Sequence, residues 1–283
     1  MLRYKEIFLG GTCNNSCLHC SPKQKTSPQE DFAAIAPAIR QRDTDSIAFS
    51  GGEPAIRPDI ITILETAREN GYRRIKLFTN GRAFSDGYLL QRIIHAGCSL
   101  FEIKLWASNP SLHDRMTQVT GSFWETVQGI ENLAQDPQDK FVCIRVPVCR
   151  ENLADLENTV TTALNFGASR IILSAGDSSL PFRSLLPRIA NAINISIFNR
   201  VWILTEGIPF CLMKGLEPHI GELVSGLTQI YERTFQRHSR CVHCIFRELC
   251  PGTEAGYLAR FGEEEFEPVT SWKYLNDLEA GDG

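Results

Sequence analysis

Three cysteines, Cys13, Cys17 and Cys20, fall within eight residues of the segment TCNNSCLHC, residues 12–20. Thiolates this close in sequence converge on one metal centre only where the chain loops around it. The flanking GGT and NNS residues permit such a loop. Structural zinc takes four ligands and would have to borrow a fourth from His19 or from a remote residue. An iron–sulfur cubane can be held by three thiolates, leaving one iron open to a further ligand. A position just after the first strand of an α/β barrel favours the cubane.

A second set lies in CVHCIFRELC, where Cys241, Cys244 and Cys250 have C-x2-C-x5-C spacing and Cys211 offers a fourth thiol. Four thiolates close a site. Structural zinc and an iron–sulfur cluster with no open iron both fit that spacing. Cys98, Cys143 and Cys149 stand apart, inside expected regular structure. Each reads as a small buried hydrophobe, while Cys143 and Cys149 could also give a hydrogen atom to a substrate radical.

Composition limits what surrounds these sites. The chain has 283 residues, 43% hydrophobic and 22% charged, which fits a folded globular protein with one large domain and an appendix. The N-terminal MLRYKEIFLGG lacks the apolar core and cleavage site of a signal peptide, and no apolar run is long enough to span a bilayer. The expectation is a cytoplasmic protein with no membrane partner. In that compartment ten cysteines point to ligation or catalysis rather than disulfides. A formal charge of −4 argues against a nucleic-acid partner.

The elements that position these residues follow a βα rhythm from residue 4 to about 174. Strands are expected at 4–10, 46–50, 74–79, 99–106, 141–148 and 169–174. SPQE at Ser27–Glu30 reads as a helix cap ahead of Phe32, Ile35, Ala36 and Ile39, and SFWE at Ser122–Glu125 repeats the pattern ahead of Val127, Ile130 and Leu133. Further helices are expected near 58–70, 85–96 and 153–165, closed by Gly71, Gly97 and Gly167. Six units of this length predict a partial (β/α)6 TIM-like barrel over 1–205. A small cysteine-rich cluster-binding subdomain is expected at 206–262, with an acidic surface tail at 263–283.

Alternation along the strands sorts the barrel lumen from the helix side. Val142, Ile144, Val146 and Val148 share one face, so Arg145 points inward with Cys143 and Cys149. An inward guanidinium requires an anion. Glu102, Lys104 and Trp106 likewise face the cavity, which makes Glu102 one candidate partner for Arg145.

CNNSCLHC resembles the C-x3-C-x2-C motif of the radical S-adenosylmethionine (SAM) enzymes, and GGEP at Gly51, Gly52, Glu53 and Pro54 resembles their SAM methionine-binding motif. The resemblance implies a [4Fe-4S] cluster on Cys13, Cys17 and Cys20 whose open iron is chelated by SAM. Reductive cleavage would then yield a 5′-deoxyadenosyl radical that takes a hydrogen atom from substrate. It further implies SAM contacts at Thr79 or Asn80 in FTNG, at Lys104 or Ser108 where relatives often carry a ribose-binding serine, and at Arg145 toward the SAM carboxylate. Lys104 and Arg145 are the residues it would place nearest the chemistry. The second cysteine set, followed by Pro251 and Gly252, is similar to the SPASM/Twitch extension of such enzymes, in a shortened form with one auxiliary [4Fe-4S] cluster on Cys211, Cys241, Cys244 and Cys250. A flavodoxin- or ferredoxin-type electron donor is then expected. The substrate is expected to be a peptide or protein, with a dehydrogenase or cyclase acting on a small metabolite as the alternative. A non-catalytic zinc or iron–sulfur electron-transfer protein is the reading from another class, and it leaves GGEP and Arg145 without a role.

Overall fold

Alternating apolar residues build the sheet. Ile47 and Phe49, Ile75 and Leu77, Ile144 and Val146, and Ile171 and Leu173 are all at most 1% exposed, each pair two residues apart on one strand. They face the surrounding helices, and the residues between them face the lumen. The structure is a computed structural model that describes residues 4–21, 26–138, 140–175, 179–224, 235–254 and 256–271.

Seven strands lie side by side in chain order, every neighbouring pair parallel: β1 (Lys5–Phe8), β2 (Ser46–Ser50), β3 (Arg74–Thr79), β4 (Cys98–Lys104), β5 (Phe141–Val148), β6 (Arg170–Ala175) and β7 (Trp202–Glu206). The partial barrel expected from the sequence is present, with one strand beyond the six. Between the strands run α1 (Phe32–Arg40), α2 (Ile60–Glu69), α3 (Gly87–His95), α4 (Pro110–Thr117), α5 (Ser122–Gln135), α6 (Leu156–Asn165) and α7 (Phe182–Phe198). Gly71, Gly97 and Gly167 follow α2, α3 and α6 with φ between +85° and +110°, the left-handed stops expected there. Among the described residues no helix is long and apolar enough to cross a membrane.

Two helix starts differ from the sequence expectation, each for a tertiary reason. SPQE does not open α1, which begins at Phe32 behind Asp31. Instead Glu30 N–H donates to Leu9 O and Gly11 N–H to Ser27 O, so 27–30 runs as backing for the turn after β1. SFWE does open α5, but the cap comes from Asp114. Its carboxylate accepts from the N–H groups of Gly121 and Phe123 and from the Ser122 hydroxyl.

Beyond β7 the chain forms short 3-10 turns and a two-residue antiparallel ladder, β8 (Phe235–Gln236) with β9 (Thr253–Glu254), then α8 (Tyr257–Phe261). This segment packs on the start of α7. Tyr257 and Phe266 meet Phe182 at ring centroid distances of 4.9 and 6.3 Å. Within the stretch expected to form a surface tail, Phe266 is 4% exposed and Val269 O accepts the Ile245 N–H, while Thr270 and Ser271 are exposed. Residues 272–283 lie outside the described chain.

The Tyr257 hydroxyl accepts the Phe182 N–H at 2.7 Å and donates to Glu265, joining segment to barrel at one buried oxygen. Tyr257→Phe strands that N–H, and it should lower stability by about 1–3 kcal/mol. Urea unfolding followed by circular dichroism checks this.

Candidate functional site

The turns after β1, β2 and β3 are joined into one cradle. Gly52 N–H donates to Gly10 O at 2.7 Å and Glu53 N–H to Thr12 O at 2.8 Å, so the second turn lies backbone to backbone against the cysteine loop. A Cβ at Gly52 would sit 2.2 Å from Thr12 O, which excludes any side chain there. Glu53, 1% exposed, turns its carboxylate away from solvent into the third turn. It accepts from Thr79 Oγ1 (2.6 Å), Asn80 N–H (2.5 Å) and Ala55 N–H (3.0 Å). Burial pushes its carboxyl up, and these donors only partly offset that. Asn80 then reaches back to the cysteine loop, its Nδ2 donating to Asn14 Oδ1 at 2.7 Å. Arg82 adds donors to Asn14 O and Asn15 Oδ1.

The far side of the cysteine loop is held as well. Ser16 and Leu18 donate their N–H groups to Thr117 O and Met116 O at the end of α4, both at 2.9 Å. His19 Nε2 lies 3.1 Å from Glu151 in the turn after β5. His19, Glu151 and buried Cys149 bring their ligand-capable atoms within 4.8 Å of one another, a compact tether rather than part of the cleft.

A cleft of about 360 Å³ opens over this cradle. Cys13, Cys17, Cys20, Gly51, Gly52, Thr79, Asn80 and Lys104 line it, together with Gly11, Asn15, Ser16, Phe78 and Trp106. The structure thus brings the first three thiols, both glycines, both FTNG candidates and Lys104 to one cavity. Lys104 Nζ stands 5.7 Å over the Trp106 ring. Burial pushes the Cys13 and Cys17 thiols up, with Lys104 opposing it at Cys17. The donor set fits an iron–sulfur cluster with one open iron, and the glycine backbones beside it leave room for a ligand of that iron.

Four of the expected residues, Glu53, Pro54, Ser108 and Arg145, lie outside the described lining of the cleft. Glu53 and Pro54 are buried and absent from that lining, and the Glu53 carboxylate holds the third turn. Ser108 gives both its N–H and its hydroxyl to Asp155, at 2.8 and 2.7 Å, and is absent from the described lining. Arg145 points into the lumen as expected, but toward protein carboxylates. Its Nε donates to Glu102, and Nη1 and Nη2 donate to the two oxygens of Glu206 at 2.6 and 3.2 Å. Lys76 Nζ completes the network at 2.5 Å from Glu102. Sequence reasoning weighed Glu102 as a partner and missed Glu206, because β7 was not recognised. The β-branched run VWILT at 201–205 was the signal available. Cys143 packs with Ile172 and Leu204, and Cys149 with Trp106 and Met116, both with thiols pushed up to about 12, by burial foremost.

The second set gathers separately. Cys211, Cys241, Cys244 and Cys250 line one cavity with Phe210 and Phe266. Burial, followed by the other three sulfurs, pushes the Cys211 thiol up to about 12. Tetrahedral zinc with bonds of about 2.3 Å needs its sulfurs about 3.8 Å apart. Among the described residues no three of these sulfurs come within 4.8 Å of one another.

Three comparisons bear on these sites. The profile of the Radical SAM superfamily matches residues 7–163. Curated relatives include a "Probable GTP 3′,8-cyclase" of Saccharolobus islandicus, 26% identical over 172 residues, which are 59% of this chain and 54% of that one. An "AdoMet-dependent heme synthase" of Oleidesulfovibrio alaskensis is 27% identical over 164 residues, 56% of this chain and 41% of that one. The chain therefore spans about half the length of the curated relatives it matches. Among solved structures, Streptococcus suis SuiB bound to S-adenosylmethionine superposes with a TM-score of 0.61 at 13% identity, covering 94% of this chain and 76% of that one. SuiB bound to precursor peptide SuiA gives 0.59 at 12% identity, covering 74% and 50%. At these identities SuiB shares the fold.

The lumen network sets an acid limit on stability. Burial alone would raise the Glu102 carboxyl, but Arg145 and then Lys76 outweigh it and hold it at about 2, below its ordinary 4.5. A depressed carboxyl stabilises the fold above its unfolded value, and that contribution is lost as pH falls through the folded one. Glu102→Gln should cost about 3 kcal/mol at pH 7, because two buried cations lose an anion. Between pH 4.5 and 2 its stability should fall less steeply than wild type, as read from urea midpoints at each pH.

Proposed function

This chain belongs to the radical SAM superfamily, and we propose that it reductively cleaves S-adenosylmethionine and abstracts a hydrogen atom from a peptide or protein substrate. One observation carries the reading: the three thiols, the Gly51–Gly52 backbone, Asn80 and Lys104 all line one cleft at the ends of the first four strands. A bound cluster with S-adenosylmethionine supplies the one-electron cleavage to a 5′-deoxyadenosyl radical.

The chain's own residues bind, orient and shield. Cys13, Cys17 and Cys20 would hold three irons, and Gly51 and Gly52 put no side chain between their backbone and the methionine end of the cofactor. Lys104 offers a cationic donor at the end of β4, and Trp106 a flat apolar surface. Arg145 keeps the lumen neutral and rigid by binding two glutamates, a positioning role instead of the SAM-carboxylate contact. Cys211, Cys241, Cys244 and Cys250 would hold an auxiliary [4Fe-4S] cluster. The similarity of the second cysteine set to the Twitch extension supports iron–sulfur over zinc there.

The peptide substrate is favoured by coverage. SuiB, whose structure holds a precursor peptide in one case, aligns over 94% of this chain in another. The two named curated relatives match 172 and 164 residues. A small metabolite remains the second reading, since those two relatives are named for small-molecule chemistry.

Anaerobically reconstituted protein should carry about eight irons per chain, two cubanes. With dithionite and S-adenosylmethionine it should release 5′-deoxyadenosine, seen by liquid chromatography. Cys13→Ala, Cys17→Ala or Cys20→Ala should each lower that rate at least 100-fold and leave about four irons. Undiminished cleavage in any of the three would overturn the reading.

A further inference from the structure

The third turn brings a side-chain donor to one of the three ligand sulfurs. Asn80 Nδ2 lies 2.7 Å from Asn14 Oδ1 and 3.8 Å from Cys13 Sγ, one N–H for each. The amide is held in that orientation, because its Oδ1 accepts the Arg82 N–H at 3.0 Å and a reversed amide would set donor against donor. Cys13 Sγ also accepts the Asn15 N–H at 3.3 Å, from within the cysteine loop itself. Asn80 therefore adds a donor to Cys13 from a different turn of the barrel.

The backbone that aims this amide is fixed on both sides. Glu53 accepts the Asn80 N–H at 2.5 Å, and Asn80 O accepts the Thr126 hydroxyl at 3.1 Å. Glu53 is in turn held by Thr79 and by the Ala55 N–H. A chain of hydrogen bonds thus runs from the GGEP turn through Asn80 to a cysteine sulfur. The last of these contacts is long for a neutral thiol, and a thiolate draws the same donor closer because a charged acceptor makes the stronger bond.

We propose that Asn80 sets the reduction potential of the cluster on Cys13, Cys17 and Cys20 by donating to the Cys13 sulfur. This rests on the reading that those three thiols hold a cluster. Reduction spreads one more negative charge over iron and sulfur, so a donor at a ligand sulfur stabilises the reduced state more than the oxidised one and raises the potential. The electron comes from an external one-electron reductant, which is oxidised as the cluster is reduced, with no bond made or broken. Asn80 is a positioning residue in this role, since it acts through Cys13. A part confined to ordering the loop predicts the opposite sign on its removal: water admitted to a loosened site also favours the more highly charged reduced state.

The test is a redox titration of the reconstituted full chain without S-adenosylmethionine, using low-potential viologen mediators. Electron paramagnetic resonance follows the first cluster, identified as the signal that Cys17→Ala removes. Asn80→Ala should lower its one-electron reduction constant at least threefold, about 28 mV at 59 mV per decade. Asn80→Asp keeps the shape and the acceptor for the Arg82 N–H but replaces the donor with a negative charge, and it should lower the potential further. Iron content should stay at the wild-type value in both. A fall smaller than threefold in Asn80→Ala, or a rise, overturns the proposal; if alanine loses the iron, the aspartate variant decides by the same threshold. Loss of the first cluster from both variants overturns it as well, because Asn80 would then order the loop and tune nothing. A lowered potential in the variants, beside wild type that releases no 5′-deoxyadenosine, overturns the cleavage reading and leaves this role of Asn80 standing.

Discussion

The structure depends on a place where no side chain fits. At Gly52 two turns of backbone meet, and a single methyl group would overlap the Thr12 carbonyl at 2.2 Å. That contact presses the cysteine loop against the turn after β2, and Glu53 extends the arrangement to the turn after β3 through Thr79 and Asn80. Three turns on three neighbouring parallel strands thus become one rigid floor. A thiol-bearing loop left loose would lose ordering entropy each time it gathered around a metal. Here the hydrogen bonds of Gly52, Glu53, Asn80, Ser16 and Leu18 have already ordered it.

Charge is distributed to the same end. Lys76, Glu102, Arg145 and Glu206 satisfy one another inside the barrel, where an unpaired ion would be costly. Lys104 is different, because it faces the cleft beside Trp106 and near Cys17. A cation there suits a cavity meant for thiolates and a carboxylate-bearing cofactor. The lumen keeps its shape through internal pairing, and the cleft keeps a charge available for its ligand.

Much of this was legible in the sequence because short spacing implies proximity. C-x3-C-x2-C fixes three thiols on one loop, GGEP marks a close backbone approach, and period-two alternation turned Arg145 and Glu102 inward before any coordinates were known. What could not be read were pairings across long separations. Glu206 lies 61 residues from Arg145, on a strand that follows a long helix with Pro187 inside it. Ser108 looked available until Asp155 claimed both its donors. SPQE carried a strong local cap signal, yet the segment serves as backing for Gly10, whose Cβ would meet Gln29 at 2.5 Å. In SPQE a tertiary contact outweighed a local cap preference of about 1 kcal/mol.

The central claim is that the first cluster keeps one iron for S-adenosylmethionine. Electron–nuclear double resonance of the reduced protein, with S-adenosylmethionine carrying 15N at its amino group, measures this directly. Coupling of that nitrogen to the reduced cluster is the expected result, lost when Cys17 is replaced by alanine. A spectrum with no 15N coupling, in protein that holds its full iron and binds the cofactor, would contradict the claim.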